Sequence, residues 1–289
     1  MDTEKCRIFL ETISQGSMTK AAETLGYTPS GVVRAIKSLE RELGISLLIR
    51  NSKGAILTKE GELLLPSIRE MMRWERQVTG LSHDIRGLET GELNVGCYFS
   101  VASNFMPAIL SSFQEKYPGI RIHLVEAGNK ELRRKLEARE LDAAIISRQS
   151  YEGPWIPLLK DKIIVWLPEN HPLAGEKAFP LKKLEKEKFI DELPGKGTDG
   201  EWLLEKENLH LNVKFSTTDD YTCYKMVEAG LGVGLNNSLT STFWHGRVVS
   251  LPLDPPRYLE LGIAAPDQTS PALAKFIDYV VKTMKKEEM

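Results

Sequence analysis

Over the first 60 residues, apolar positions recur at helical spacing in three short runs, each closed by a glycine. Cys6, Phe9, Leu10 and Ile13 form a stripe over residues 4–14 that stops at Gly16. Ala21, Ala22 and Leu25 form a second, running from an N-cap at Ser17 to Gly26. Its two alanines are small enough for a neighbouring helix to pack closely. The third run, Val32, Val33, Ile36 and Leu39, extends from Pro29 to Leu43 and ends at Gly44. Thr28 stands at its N-cap position, and Pro29 suits the first helical turn. Two strand-like runs follow, SLLIR and AILT, separated by the turn-forming NSKG. Two helices joined by a short Gly-containing turn, followed by a hairpin, predict a winged helix-turn-helix over residues 1–60.

The next pattern is longer. Leu64, Ile68, Met71, Trp74, Val78, Leu81, Ile85 and Leu88 are spaced by threes and fours, which predicts a helix over 58–88 with a seam close to that of a coiled coil. Burial against a second copy makes this a dimerisation helix; docking against its own chain is the other solution. Pro66 removes one backbone hydrogen bond near its start. From residue 91 the pattern changes to alternating strands and helices. Strands are expected at 92–97, 120–125, 142–147, 161–167, 213–216, 232–236 and 258–264. Helices are expected at 104–116, 129–139, 200–207, 220–229 and 271–284. This alternation predicts an α/β body with a mostly parallel sheet. The runs DKIIVWLP and YLELGIAAP suit two crossing strands. They divide the body into one lobe of residues 91–160 and 266–289 and a second of residues 161–265.

Composition sharpens this picture in places. The chain has 289 residues and a net charge of −2, distributed unevenly. Residues 27–59 carry six basic and two acidic groups, whereas residues 91–289 carry 25 basic and 28 acidic groups. A small cationic segment on a mildly acidic body points to a polyanion partner at one end. No apolar run is long enough for a membrane span, and MDTEKCRIFL lacks the features of a signal peptide, so a cytoplasmic location without membrane association is expected. Cys6, Cys97 and Cys223 lie far apart, with no disulfide or zinc spacing.

Enzyme motifs are absent: there is no HExxH, GxSxG, Walker loop or metal-spaced histidine cluster. GLGVG at 230–234 follows a helix and opens a strand, the reverse of a dinucleotide fingerprint. Two segments suit a small anionic ligand. One is CYFSVAS, where amides and hydroxyls at Ser100 and Val101 would hold a carboxylate beyond a strand end. Arg148 either adds a bidentate contact or forms a surface salt bridge. The other is GKGTDG at 195–200, which either holds an anion through its amides and Thr198 or serves only as a loop with a capping threonine. No cofactor or metal is implied.

With these pieces in order, the chain resembles LysR-type transcriptional regulators over nearly its whole length. The specific segment is FLETISQGSMTKAAETLGYTPSGVVRAIKSLERELGISLLIRNSKGAILTKEGELLLP. There Gly16-Ser17, Ala21-Ala22, Leu25, Ile36, Leu39-Glu40, Leu43-Gly44, Leu47, Arg50, Leu57-Thr58 and Gly61 match the family's residue types. FQEKYPGIRIHL, ELDAAI, HPLA and VEAGLGVGL match weaker patterns in the body. The resemblance implies a sequence-specific regulator of transcription with two Rossmann-like lobes, resembling periplasmic binding proteins, around an effector cleft. It also implies winged-helix dimers paired into a homotetramer, with operator DNA and RNA polymerase as partners. Operator contacts would come from Ser17, Thr19, Thr28, Pro29, Ser30, Val33, Arg34 and Lys37, and phosphate contacts from Arg50 and Lys53 on the wing. Effector contacts would come from Ser100, Val101, Asn129, Arg148, Thr198 and Thr222. The recognition helix departs from the family's usual Gln-Pro-x-x-Ser-Arg, reading Pro29-Ser30-Gly31-Val32-Val33-Arg34, so direct base reading falls chiefly to Arg34 and Ser30. The residues also admit a ligand-binding protein whose N-terminal region serves protein assembly.

Overall fold

Each helix of the N-terminal region starts and stops where its polar punctuation dictates. In a computed structural model that describes residues 2–51, 54–85, 90–149, 151–192, 194–195, 197–267 and 269–287, without the side chains of 50, 51, 83–85 and 285–287, the chain forms two units. These are Met1–Leu88 with Ala138–Glu140, and Glu89–Glu137 with Leu141–Met289. The first unit contains α1 (Thr3–Gln15), α2 (Met18–Leu25), α3 (Pro29–Leu43), a hairpin of β1 (Leu48–Asn51) and β2 (Gly54–Leu57), and α4 (Lys59–Ile85). Asp2, Ser17 and Thr28 cap the first three helices by accepting backbone N–H groups, and Gly44 ends α3 in the left-handed conformation.

Phe9, Ala22, Val32, Ile36, Leu39 and Leu47 meet in a fully buried core. Val33 is only half-buried and stands beside the stripe, not in it. The Glu40 carboxylate accepts the amides of Leu47 (2.8 Å) and Leu48 (3.2 Å), tying the first wing strand to α3. The Leu47 carbonyl in turn accepts the Thr58 amide at 3.0 Å. Gly61 lies against that same carbonyl: a Cβ there would sit 2.3 Å from the Leu47 oxygen. α4 divides along its length. Ile68 and Met72 are buried in the core of the first unit, whereas Trp74, Val78 and Leu81 are exposed. The early turns therefore dock on their own domain, and only the later turns leave an apolar stripe uncovered; residues 86–88 lie outside the described residues.

The second unit is built on an eight-stranded sheet. Its strands are β3 (Thr90–Cys97), β4 (Gly119–Glu126), β5 (Ala143–Ser147), β6 (Trp155–Pro168), β7 (Phe179–Pro180), β10 (Gly234–Asn237), β11 (Val248–Asp254) and β12 (Tyr258–Ala264). β8 (Lys188–Glu192) and β9 (Asn212–Thr217) form a separate parallel pair. The helices are α5 (Phe99–Asn104), α6 (Met106–Lys116), α7 (Asn129–Glu137), α8 (Asp199–Lys206), α9 (Asp220–Glu228) and α10 (Pro271–Glu287). The strand order is β4-β3-β5-β12-β6-β11-β7, with β10 also on β6.

The sheet is mixed and not mostly parallel. β3 runs parallel to β4 and β5, but β12 is antiparallel to both β5 and β6, and β6 is antiparallel to β10 and β11. The physical reason is the crossing itself: β6 leaves the first lobe, β12 returns to it, and adjacent strands passing in opposite directions must pair antiparallel. β6 pairs with β12 through Lys162 and with the second lobe's strands from Ile163. β12 joins β5 from Leu261, so the chain is back in the first lobe's sheet before residue 265. β7, β8, β11 and α5 are elements the apolar pattern did not reveal.

Gly61→Ala is expected to destabilise the protein by about 1–3 kcal/mol, because the new methyl group meets backbone and not a mobile side chain. Gly175→Ala, which meets nothing within 4 Å, is the control. Denaturant unfolding of the full chain followed by circular dichroism checks this, and equal midpoints for the two variants would contradict it.

Candidate effector cavity and DNA-facing helix

On α3 the core takes Val32, Ile36 and Leu39, which turns the opposite face to solvent. That face carries Pro29, Ser30, Arg34 and Lys37, all exposed. The Thr28 hydroxyl accepts the Gly31 amide at 3.1 Å and lies 3.2 Å from the Ser30 hydroxyl, so its acceptor capacity is partly used in capping. Arg34 is held only lightly, its Nε 3.4 Å from the Ser30 carbonyl, which leaves the guanidinium plane presented outward. Ser17 caps α2 by accepting the Lys20 amide, and Thr19 is exposed one residue into that helix. Lys53 and the Arg50 side chain lie outside the described residues.

In the second unit, a cavity of about 340 Å³ lies between the lobes, beyond the carboxyl ends of β3 and β4. This is where an open α/β sheet places its ligands. Of the residues expected to bind an effector, Ser100, Asn129 and Thr198 line the cavity. Val101, Arg148 and Thr222 do not. Residues 99–104 form α5 and not a loop, so the Val101 amide is spent on the Tyr98 carbonyl (3.1 Å) and its side chain is fully buried in the core. Arg148 lies over the Trp155 ring at 5.2 Å, and Thr222 is exposed on α9.

The GKGTDG loop is occupied by the protein itself. Its Gly195, Gly197 and Thr198 amides donate to the Glu201 carboxylate, while the Thr198 hydroxyl accepts the Glu201 amide, forming a capping box. The anion expected in this cradle is thus an internal carboxylate.

Hydrogen bonds join the lobes across the cavity. Asn237 Nδ2 donates to Ser100 Oγ at 3.2 Å and also to Asp161. Asp161, buried in the crossing strand β6, accepts the Ser238 hydroxyl and the Leu239 amide as well. On the other side the Ser147 hydroxyl donates to Asp199, which Gln149 also reaches. Burial holds the Asp199 carboxyl above its ordinary range despite these donors, and burial raises the Tyr98 hydroxyl well above its own.

The lining is strongly acidic. Glu126 and Glu131 come from the first lobe, and Asp191, Glu192, Asp199, Glu201 and Asp220 from the second. Among the described residues no Lys, Arg or His lines the cavity. Glu192 is pushed well above the usual carboxylate range by burial, helped by contact with Asp220. The groups on which an anionic ligand would depend, Arg148 and the GKGTDG amides, are therefore directed elsewhere. Cys97 and Cys223 are buried; burial pushes the Cys97 thiol up to about 12, which leaves negligible thiolate at neutral pH. Asp161, Asn237, Asp199 and Glu192 were not found in the sequence. The signal for two of them was present: the adjacent amides of GLNNS directly after an apolar strand, and an acid inside the apolar run around DKIIVW.

Residues 86–285 match the LysR substrate binding domain family, and residues 3–62 match the bacterial regulatory helix-turn-helix protein, lysR family. The chain belongs to the LysR family of transcriptional regulators. It is 30% identical over 277 residues to the uncharacterized HTH-type transcriptional regulator YvbU of Bacillus subtilis strain 168, covering 95% of both chains. Among solved structures, full-length OxyR C199D from Pseudomonas aeruginosa superimposes with a TM-score of 0.72 at 22% identity, with 97% of each chain covered. Full-length CbnR complexed with its target DNA gives 0.66 at 17% identity, covering 98% of this chain and all of that one. This LysR-type chain is accordingly a DNA-binding regulator with an effector-binding domain; the family's members are not enzymes. No helix among the described residues is long and apolar enough to cross a membrane.

Replacing Asp161 by Ala removes the acceptor of three donors in the crossing strand and leaves them unsatisfied. A loss of about 1–3 kcal/mol is expected in equilibrium unfolding of the full chain. An unchanged midpoint would show that the hinge does not depend on this carboxylate.

Proposed function

We propose that the outward face of α3 reads operator DNA through Arg34 and Ser30, with Lys37, Thr28, Pro29, Val33, Ser17 and Thr19 around them. Arg50 and Lys53 on the wing contact phosphate. The observation that carries this reading is the exposed, lightly held guanidinium of Arg34 on a helix whose other face is fixed in the core. Arginine reads guanine through two parallel hydrogen bonds, whereas the phosphate contacts position the protein without selecting sequence. The exposed later turns of α4 bury their apolar stripe against a second copy, and dimers pair into a tetramer. A small effector held between the lobes by Ser100, Asn129 and Thr198 biases the tetramer between two arrangements, which requires that it bind one better than the other. The protein works in the cytoplasm, has no catalytic role, and engages RNA polymerase when bound at a promoter.

Arg34→Ala is expected to weaken binding to the protein's own promoter fragment by about 1–3 kcal/mol in a mobility-shift titration at fixed salt, while retaining residual affinity for random duplex DNA. Undiminished affinity for the fragment would remove Arg34 from the interface. A wild-type chain that shifts neither DNA would refute the reading as a whole.

A further inference from the structure

The shape of the cavity says where a ligand sits, and its chemistry says what kind. A ligand-binding cavity usually supplies both donors and acceptors. This one supplies acceptors. Two of its carboxylates are already satisfied from within: Glu201 by the loop amides and Asp199 by Ser147 and Gln149. Glu192 and Asp220 are not so provided. Both accept from the single Asn236 amide, at 2.5 Å and 2.9 Å, so one neutral donor is shared between two acids in contact. Asp191 adds a further carboxylate beside them in the lining. Like charges brought together and partly desolvated cost free energy unless a cation or a proton relieves them.

A second observation, independent of the acids, comes from the opposite lobe. Asn129 is 1% exposed and lines the cavity, yet its Oδ1 has no hydrogen-bond partner. Its orientation is fixed by its neighbours. The Ser147 hydroxyl has one proton, given to Asp199, so Ser147 Oγ accepts from Tyr98 at 3.1 Å and from Asn129 Nδ2 at 3.0 Å. Asn129 must therefore donate toward Ser147 and keep its carbonyl oxygen as an acceptor. A buried acceptor left unpaired is destabilising, and a ligand N–H that meets it removes that cost. Both lobes thus ask the ligand for donors.

We propose that the effector of this chain is a small organic cation, an ammonium compound with an apolar body, that bridges the Glu192–Asp220 pair and the Asn129 carbonyl oxygen. This rests on the reading of the cavity as the effector site and goes beyond it in naming the ligand's charge. The walls suit such a body: Tyr98, Phe99 and Phe189 present aromatic surface to the cavity, which attracts a cation and packs against hydrocarbon. An organic ammonium fits better than a metal ion. No three His, Cys, Asp or Glu side chains among the described residues are grouped to hold one.

The test is isothermal titration of the full chain with matched pairs that differ only in charge: phenethylamine against phenylacetate, and 1,4-diaminobutane against succinate, with calcium chloride as an ionic control. At least one amine is expected to bind with a millimolar or tighter Kd while its carboxylate counterpart does not. Glu192→Gln and, separately, Asp220→Asn are each expected to weaken that amine at least tenfold while the unliganded melting midpoint holds. Two variants are used so that misfolding of either leaves the other to decide. Binding of a carboxylate, an equal heat from calcium, no amine binding below 10 mM, or unchanged affinity in a folded variant would each overturn the proposal. A mobility shift of the promoter fragment on the same preparation separates the two readings. Amine binding without any DNA shift would overturn the regulator reading alone, and a DNA shift with only a carboxylate bound would overturn the cation alone.

Discussion

The effector domain depends on two strands passing each other. β6 and β12 carry the chain out of the first lobe and back, and they pair antiparallel where they cross. Immediately beyond, β6 takes β10 and β11 as partners in the second lobe. One strand therefore belongs to both lobes, and the cavity lies beside the crossing. Asp161 sits in that strand, with Asn237, Ser238 and Leu239 of the second lobe donating to it. A buried carboxylate with several donors is satisfied in only one geometry, because each donor has a direction and the desolvation penalty returns if any is lost. That condition fixes where β10 ends, and so where Asn237 reaches Ser100 across the cavity.

Electrostatics in the cavity follows from which charges the fold has already used. A Gly-rich loop before a helix is a ready anion site, and the chain fills this one with Glu201 from the helix it precedes. The same economy applies to Arg148: its main chain is tied to the Glu260 carbonyl, and its guanidinium rests on Trp155. With both sources of positive character committed, the remaining lining is acidic and amide-rich, set among aromatic and aliphatic walls. The charge preference of a pocket is thus a property of residues outside it as much as of those lining it.

This explains what could be read from the sequence and what could not. The N-terminal helices were legible almost to the residue, because caps, small residues and glycines act locally and the apolar period is unambiguous. The site was legible where a residue's role follows from its place at a strand end, as for Ser100 and Asn129. It was illegible where the role depends on a partner distant in sequence. Nothing local indicates that Asp161 waits for Asn237, 76 positions on, or that Ser147 meets Asp199, 52 positions on. The strands also misled for this reason: antiparallel pairing of β12 with β5 and β6 is a property of topology, whereas the alternation of strands and helices is a property of composition. Val101 shows the converse, since its neighbourhood suggested a loop and the buried apolar side chain instead made a turn of helix.

The bonds that cross the cavity give an effector something to act on. In the arrangement described here, Ser147–Asp199 and Ser100–Asn237 tie one lobe to the other, and Asn129 and Tyr98 converge on the same Ser147 hydroxyl. A ligand that engaged Asn129 would therefore not act on one lobe alone. It would polarise a chain of hydrogen bonds that ends on Asp199 at the start of α8, strengthening each link in a medium of low dielectric. Conversely, an arrangement with the lobes further apart would break both cross-links and leave buried polar groups to be satisfied by water. The two arrangements then differ in free energy by a few hydrogen bonds, a difference small enough for one bound molecule to reverse.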